Sequence, residues 1–197
     1  MSFRVSEADE LNRLLAAEIA VVRSESPGLE RSNQNGWHSQ LDLFSRREPG
    51  FINVCAAILD AVRQATLQIA PAFDLKSARI QGEGWINVSG RGAFNAPHDH
   101  PGWAWSGSYY VVVPADLRGR SGAIEFLDPR TNARVVTVDG ANCFASKVTI
   151  LPEPGMLLLF PSFLRHWVYP NEADSERISI AFNARFAPKT AASPPAA

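Results

Sequence analysis

The chain has only two cysteines, Cys55 and Cys143, and no CxxC pair. A disulfide framework is therefore not expected, and a reducing, cytoplasmic setting is. No apolar run approaches the roughly 20 residues needed to span a bilayer. The longest strong runs, Tyr109 to Val113 and Met156 to Phe160, each stop at a proline. Neither sign of charge dominates: 19 Lys and Arg against 20 Asp and Glu leave a formal net charge of −1, so nothing global points to nucleic acid or an anionic membrane. The first ten residues are acidic and lack the apolar core of a signal peptide. Internal repeats are absent. Apolar residues at 46% and charged residues at 20% exclude a disordered, collagen-like or coiled-coil chain. What is left is one folded domain over residues 1–186, helical over 1–76 and β-rich over 77–186. A Pro- and Ala-rich tail over 187–197 is expected to be disordered.

The N-terminal third carries helical periodicity. Ser6 and Asp9 resemble a capping box, and Leu11, Leu14, Leu15, Ile19 and Val22 follow at helical spacing. The spacing predicts a helix over Ser6–Arg23 and a second over Pro49–Ile69, stopped by Pro71. The second has an apolar stripe that includes Phe51, Val54, Ile58 and Val62, with Cys55 in it as a buried, inert thiol. After Pro71 the pattern changes to short β-type runs: Ala78–Gln81, Gly84–Val88, Ser106–Val113, Ala123–Leu127, Arg134–Val138, Lys147–Leu151, Met156–Phe160, His166–Tyr169 and Arg177–Phe186. Nine strands without intervening helices predict a sandwich, barrel or jelly roll. Both helices have an apolar stripe to bury, so they are expected to pack on one sheet.

Three of the four histidines fall in two clusters. In Pro97-His98-Asp99-His100-Pro101, an extended chain points His98 and His100 the same way and Asp99 the other. Two imidazoles at i and i+2 are a ready pair of metal ligands, or else hydrogen-bonding groups of a polar loop. In Phe160-Pro161-Ser162-Phe163-Leu164-Arg165-His166, a buried strand, a proline stop and a short loop present a third imidazole. A three-histidine face leaves coordination positions open to small molecules. If Asn171-Glu172 closes a hairpin, His166 faces Arg177, and Ser179 shares the sheet face of Arg177. A guanidinium beside an open metal suits a chelating carboxylate; the bland alternative pairs Arg177 with Glu125, Asp174 or Glu176. Softer candidates remain. Trp37 and His38 lie either on a surface loop or against a site, Trp103 and Trp105 wall either a substrate pocket or the core, and Asn87 needs a partner if buried.

With these residues in place, the sequence resembles the iron(II)/2-oxoglutarate-dependent oxygenases. More narrowly, Trp85-Ile86-Asn87, His98-Asp99-His100-Pro101, Ser106-Gly107-Ser108-Tyr109-Tyr110-Val111, Phe160-Pro161-Ser162 with His166, and Arg177-x-Ser179 eleven residues later resemble an uncharacterised bacterial and phage group of that superfamily. The resemblance covers about Gly36 to Phe186. It implies a double-stranded β-helix, a form of jelly roll, and Fe(II) and 2-oxoglutarate as cofactors. It makes His98 and His166 the first and distal metal ligands. Arg177 with Ser179, and Tyr109 or Tyr110, then hold the distal carboxylate of the cosubstrate. One departure stands out: the superfamily usually has Asp or Glu where His100 stands. Three neutral imidazoles leave Fe(II) at +2, so dianionic 2-oxoglutarate gives a neutral shell. The expected activity is hydroxylation of a substrate that the sequence does not disclose. Two other readings are a cupin-like three-histidine metalloenzyme, with Arg177 on the substrate's own carboxylate, and a non-catalytic jelly-roll binding module. Only the first uses both Arg177 and Ser179.

Overall fold

The change of period at Pro71 is where helices give way to sheets. The computed structural model describes residues 1–130, 138 and 145–189. Two helices, α1 (Ala8–Ser24) and α2 (Pro49–Ile69), lie among short N-terminal strands: β1 (Ser2–Arg4), β2 (Asn33–Gln34) and β3 (Trp37–His38). The remaining strands follow in order: β4 (Ala78–Ser89), β5 (Phe94–His98), β6 (Trp105–Val112), β7 (Ile124–Leu127), β8 (Lys147–Ile150), β9 (Met156–Pro161), β10 (His166–Val168) and β11 (Arg177–Pro188). They form two antiparallel sheets, ordered β1-β9-β6-β11-β4-β3 and β2-β5-β10-β7-β8. The protein is thus mainly β. Among the described residues, no helix is long and apolar enough to cross a membrane.

Helix starts differ from expectation. The Ser6/Asp9 capping box does not form: Glu7 occupies the N-cap at φ 52°, with no side-chain hydrogen bond. α2 begins at Pro49, where a missing N–H does no harm, and its cap comes from a distance. Glu18 of α1 accepts from the backbone N–H of Gly50 (2.8 Å) and of Phe51 (3.1 Å). A carboxylate there satisfies orphan donors and complements the helix dipole. Gly50 permits the approach, since a Cβ would stand 2.5 Å from Glu18 Oε2. Glu18→Ala is expected to lower stability by about 1 kcal/mol, read as an earlier urea midpoint at unchanged slope, with Glu18→Gln recovering part of it.

The strands also depart in particulars. Ala78–Gln81 and Gly84–Val88 are one strand, β4, paired along its length with β11. β11 continues past Phe186, because Ala187 and Pro188 pair with Arg79 and Ala78. The tail therefore starts later than expected, and 190–197 lie outside the described residues, as does the strand expected at Arg134–Val138 except for Val138. The hairpin expected between His166 and Arg177 is absent. β10 pairs with β5 and β7, while β11 pairs with β4 and β6, so the link crosses from one sheet to the other. Two residues turn it. Pro170 has no N–H to continue a ladder. Asn171, fully buried, donates through Nδ2 to Ser89 O and Ser175 O (both 2.9 Å) and through its backbone N–H to Ala93 O (3.0 Å).

Alternation sorts the long strands into two faces. Ile86, Val88, Tyr109, Leu157, Leu159 and Ile180 share one apolar cluster with Leu15 and Ile19 of α1 and Phe51, Val54, Ile58 and Val62 of α2. Tyr110, Ile124, Phe126, Leu158, Phe160 and Val168 form a second cluster. Cys55 is half-buried, and burial pushes its thiol up to about 11, so it is unreactive at neutral pH.

Candidate active site

Two strand ends and the loop after β5 bring the histidines together. His98 closes β5, His166 opens β10, and the two are register partners. His100 follows two residues on, anchored by its backbone N–H to Ser162 O (3.1 Å). The same loop returns a bond from Ser162 N–H to Ala104 O (3.1 Å), and Ser162 Oγ donates to Trp103 O. Ring centroids lie 4.5 Å apart for His98–His166, 5.0 Å for His98–His100 and 5.3 Å for His100–His166. One ligand atom from each residue lies within 4.8 Å of the others, the donor set of a single divalent ion. Asp99, just past the end of β5, is exposed and not among the convergent donors.

Burial drives the histidines toward the neutral form that metal ligation requires. Desolvation chiefly, with help from His98, depresses His166 to about 3 and His100 to about 4. His98 is lowered too, again mainly by desolvation. Folded values below the unfolded 6.5 mean that the unfolded chain binds more protons between about pH 6.5 and pH 3. Stability contributed above pH 6.5 is thus lost as pH falls through that window. The metal-free protein is expected to lose Tm progressively below pH 6.5, and substitution of His100 and His166 by Gln should flatten that slope in calorimetry.

Deeper in the same cavity sits Arg177, 3% exposed. Among the described residues no carboxylate pairs with it; its guanidinium lies 5.9 Å from the Tyr110 ring centroid, and its Nε has no partner. The acids named as its alternative partners are engaged elsewhere. Glu125 binds Lys147 (3.1 Å), Thr149 (2.6 Å) and Tyr169 (3.0 Å). Glu176 pairs with Arg23 (2.8 Å), and Asp174 with Arg91. Burial lowers the Arg177 pKa, yet the group stays cationic at neutral pH. A buried cation without a counter-ion is costly unless an anion joins it. Asn87 Oδ1, also buried in this wall, has no partner either. Ser179 pairs in register with both Asn87 and Tyr110, so these three form one row beside Arg177.

Of the candidates named from the sequence, the cavity gathers His98, His100, His166, Arg177, Ser179, Tyr110 and Asn87. It does not gather the other candidates. Tyr109 turns to the opposite sheet face and donates to Asn12 Oδ1 (2.7 Å). Trp105 shares that face and donates from Nε1 to Thr66 Oγ1 (2.9 Å). Trp37 donates to Ser26 O (3.0 Å), and Trp103 lies 4.9 Å under the Arg185 guanidinium. His38 stacks on Trp85 at 5.4 Å with Nδ1 on its neighbour's carbonyl, so Trp85 stands in the wall where His38 was expected. Trp85, Ser108 and Phe160 are wall residues that the sequence shows within motifs but that were not among the candidates for the site. The period of two counted from Asn87 and Tyr110 would have found the first two.

A model of the family described as "Putative 2OG-Fe(II) oxygenase" matches residues 83–183. No curated protein matches the chain. Solved structures do. A prolyl-4-hydroxylase from Pseudomonas putida superposes with a TM-score of 0.61 at 19% identity, covering 93% of this chain and 91% of its own. A viral collagen prolyl hydroxylase from Paramecium Bursaria Chlorella virus-1, solved with 2OG, gives 0.56 at 14% identity, covering 93% and 94%. HygX from Streptomyces hygroscopicus, with nickel, 2-oxoglutarate and hygromycin B bound, gives 0.62 at 12% identity, covering 93% and 81%. These likenesses carry the fold, and the family model spans both histidine clusters and Arg177. The chain belongs to the 2OG-Fe(II) oxygenase family.

Proposed function

We propose that His98, His100 and His166 hold Fe(II), and that Arg177 with Ser179 receives the distal carboxylate of 2-oxoglutarate in the same cavity. The observation that carries this reading is the buried, uncompensated guanidinium of Arg177 sharing a cavity with three convergent neutral imidazoles. The donor set suits the metal, because imidazole binds divalent iron and three ligands leave positions free. Arg177 suits the cosubstrate, because a planar fork matches a carboxylate and an anion there removes the desolvation problem. When both are bound, the pair supplies an O₂-dependent oxidation of substrate, with 2-oxoglutarate decarboxylated to succinate. Asn87 Oδ1 accepts from a donor that the filled cavity brings, water included. Phe160, Ile124 and Val168 form an apolar wall that limits water beside the metal.

The architecture supports this as a double-stranded β-helix braced by helices. The Tyr109–Asn12 and Trp105–Thr66 bonds, from β6 to α1 and α2, support both helices packing on that sheet. In this reading residues 1–186 act as one domain, and the protein hydroxylates a small molecule or side chain in the cytoplasm. The test is to incubate iron-loaded protein with 2-oxoglutarate and O₂. Succinate should form in step with 2-oxoglutarate loss, slowly without a substrate. Iron-loaded protein that binds O₂-reactive metal but yields no succinate above the His166→Ala background would favour the cupin-like reading.

A further inference from the structure

Two of the three histidines are oriented by backbone, and the third by a side chain. His98 and His166 each direct Nδ1 at the carbonyl two residues earlier, Ala96 O at 2.7 Å and Leu164 O at 2.8 Å. A carbonyl only accepts, so Nδ1 carries the ring proton and Nε2 keeps the lone pair that a metal needs. At His100 the neighbour of Nδ1 is the Asn183 amide nitrogen, at 3.5 Å. An amide nitrogen only donates, so a hydrogen bond there requires the ring proton on Nε2.

Turning the Asn183 amide over would present oxygen instead, and the surroundings decide against that. Glu83 Oε1 stands 2.9 Å from Asn183 Nδ2, and a carboxylate only accepts. Ser106 Oγ lies 2.7 Å from Asn183 Oδ1, and a hydroxyl serves either orientation. Glu83 is therefore the group that fixes the amide. Asn183 and Ser106 are 2% and 1% exposed, so water does not readily replace either bond.

We propose that Asn183, held by Glu83, is a positioning residue that keeps His100 in the Nε2-protonated tautomer, so that His100 joins the metal's ligands only when the amide turns over. This rests on the reading of His100 as third ligand. His98 and His166 then form the standing pair, and His100 is the conditional member. A partner of the non-ligating nitrogen typically changes metal affinity by about 10–100-fold. Here the partner opposes ligation, so releasing it strengthens binding.

The test uses the full-length protein, with its four histidines labelled with ¹⁵N in the imidazole ring. In the metal-free wild type, His98 and His166 should give Nδ1–H spectra and His100 an Nε2–H spectrum. In Glu83→Gln, the side chain can offer its nitrogen as well as its oxygen, so Asn183 is no longer held in one orientation. His100 should shift to the Nδ1–H form, and Co(II) affinity should rise about tenfold. Glu83→Ala should act in the same direction and guards against a glutamine that packs badly. A merely structural Glu83 predicts the opposite sign, because removing a negative charge near a dication weakens binding. An Nδ1–H tautomer at His100 in the wild type, or no shift in either variant, overturns the proposal alone. A tautomer shift that leaves Co(II) affinity unchanged overturns the ligand reading of His100 and the proposal with it.

Discussion

Arg177→Leu is expected to weaken 2-oxoglutarate binding to the iron-loaded protein by about ten- to a hundredfold. A bidentate contact between a guanidinium and a carboxylate is charge-assisted and contributes roughly 1.5–3 kcal/mol, and each 1.4 kcal/mol is about a factor of ten. Iron content should stay near that of the wild type, because Arg177 lines the cavity without belonging to the donor cluster. Leucine also removes a buried cation that no carboxylate among the described residues pairs with, Glu125, Asp174 and Glu176 being engaged elsewhere. The variant should therefore fold at least as stably as the wild type without ligand, an unusual result for a buried substitution. Arg177→Lys should recover only part of the affinity: the charge remains, but the fork is lost. Anaerobic titration of the three proteins with 2-oxoglutarate in the presence of Fe(II) reads the effect. Equal affinities would remove Arg177 from the cosubstrate site.

His166→Ala is expected to have the largest effect on the metal, lowering Fe(II) affinity by at least about a hundredfold. Loss of a second-sphere partner alone typically changes affinity by about 10–100-fold, and His166 belongs to the donor set itself. Its ring packs edge-on against Phe160 at 4.9 Å and beside Phe126 at 5.6 Å, so alanine also leaves a gap in the wall. His166→Gln fills more of that gap and separates packing from ligation: a stable His166→Gln protein without bound iron supports the ligand role. Retention of stoichiometric iron by His166→Ala would contradict it.

Some of this was readable from residue order alone, for local reasons. α2 runs from Pro49 to Ile69 as expected, because one proline preorganises its start and another stops it, with an apolar stripe between. His98 and His100 share a face because an extended chain repeats every two residues. Other features depend on partners far away in sequence. Tyr109 and Tyr110 sit in one apolar run with no alternation to say which faces inward. Asn12, 97 residues earlier, claims Tyr109 and leaves Tyr110 to Arg177. The crossing between β10 and β11 imitates a hairpin in sequence, and only the burial of Asn171 against Ser89 and Ala93 shows that the chain changes sheets. His166 and Arg177 line one cavity because they come from two facing sheets rather than from paired strands. Strands of two or three residues, such as β1, β2 and β3, are too short to carry a period at all.

We propose that one cavity, lined by the three histidines and Arg177, holds the metal and 2-oxoglutarate together. Calorimetric titration of 2-oxoglutarate into the protein, without oxygen and with or without Fe(II), tests it most directly. One site per chain, with affinity at least about tenfold higher in the presence of Fe(II), is the predicted result, because the metal chelates the end of the cosubstrate that Arg177 does not hold. Binding of equal strength with and without Fe(II), or none in either case, would contradict the account.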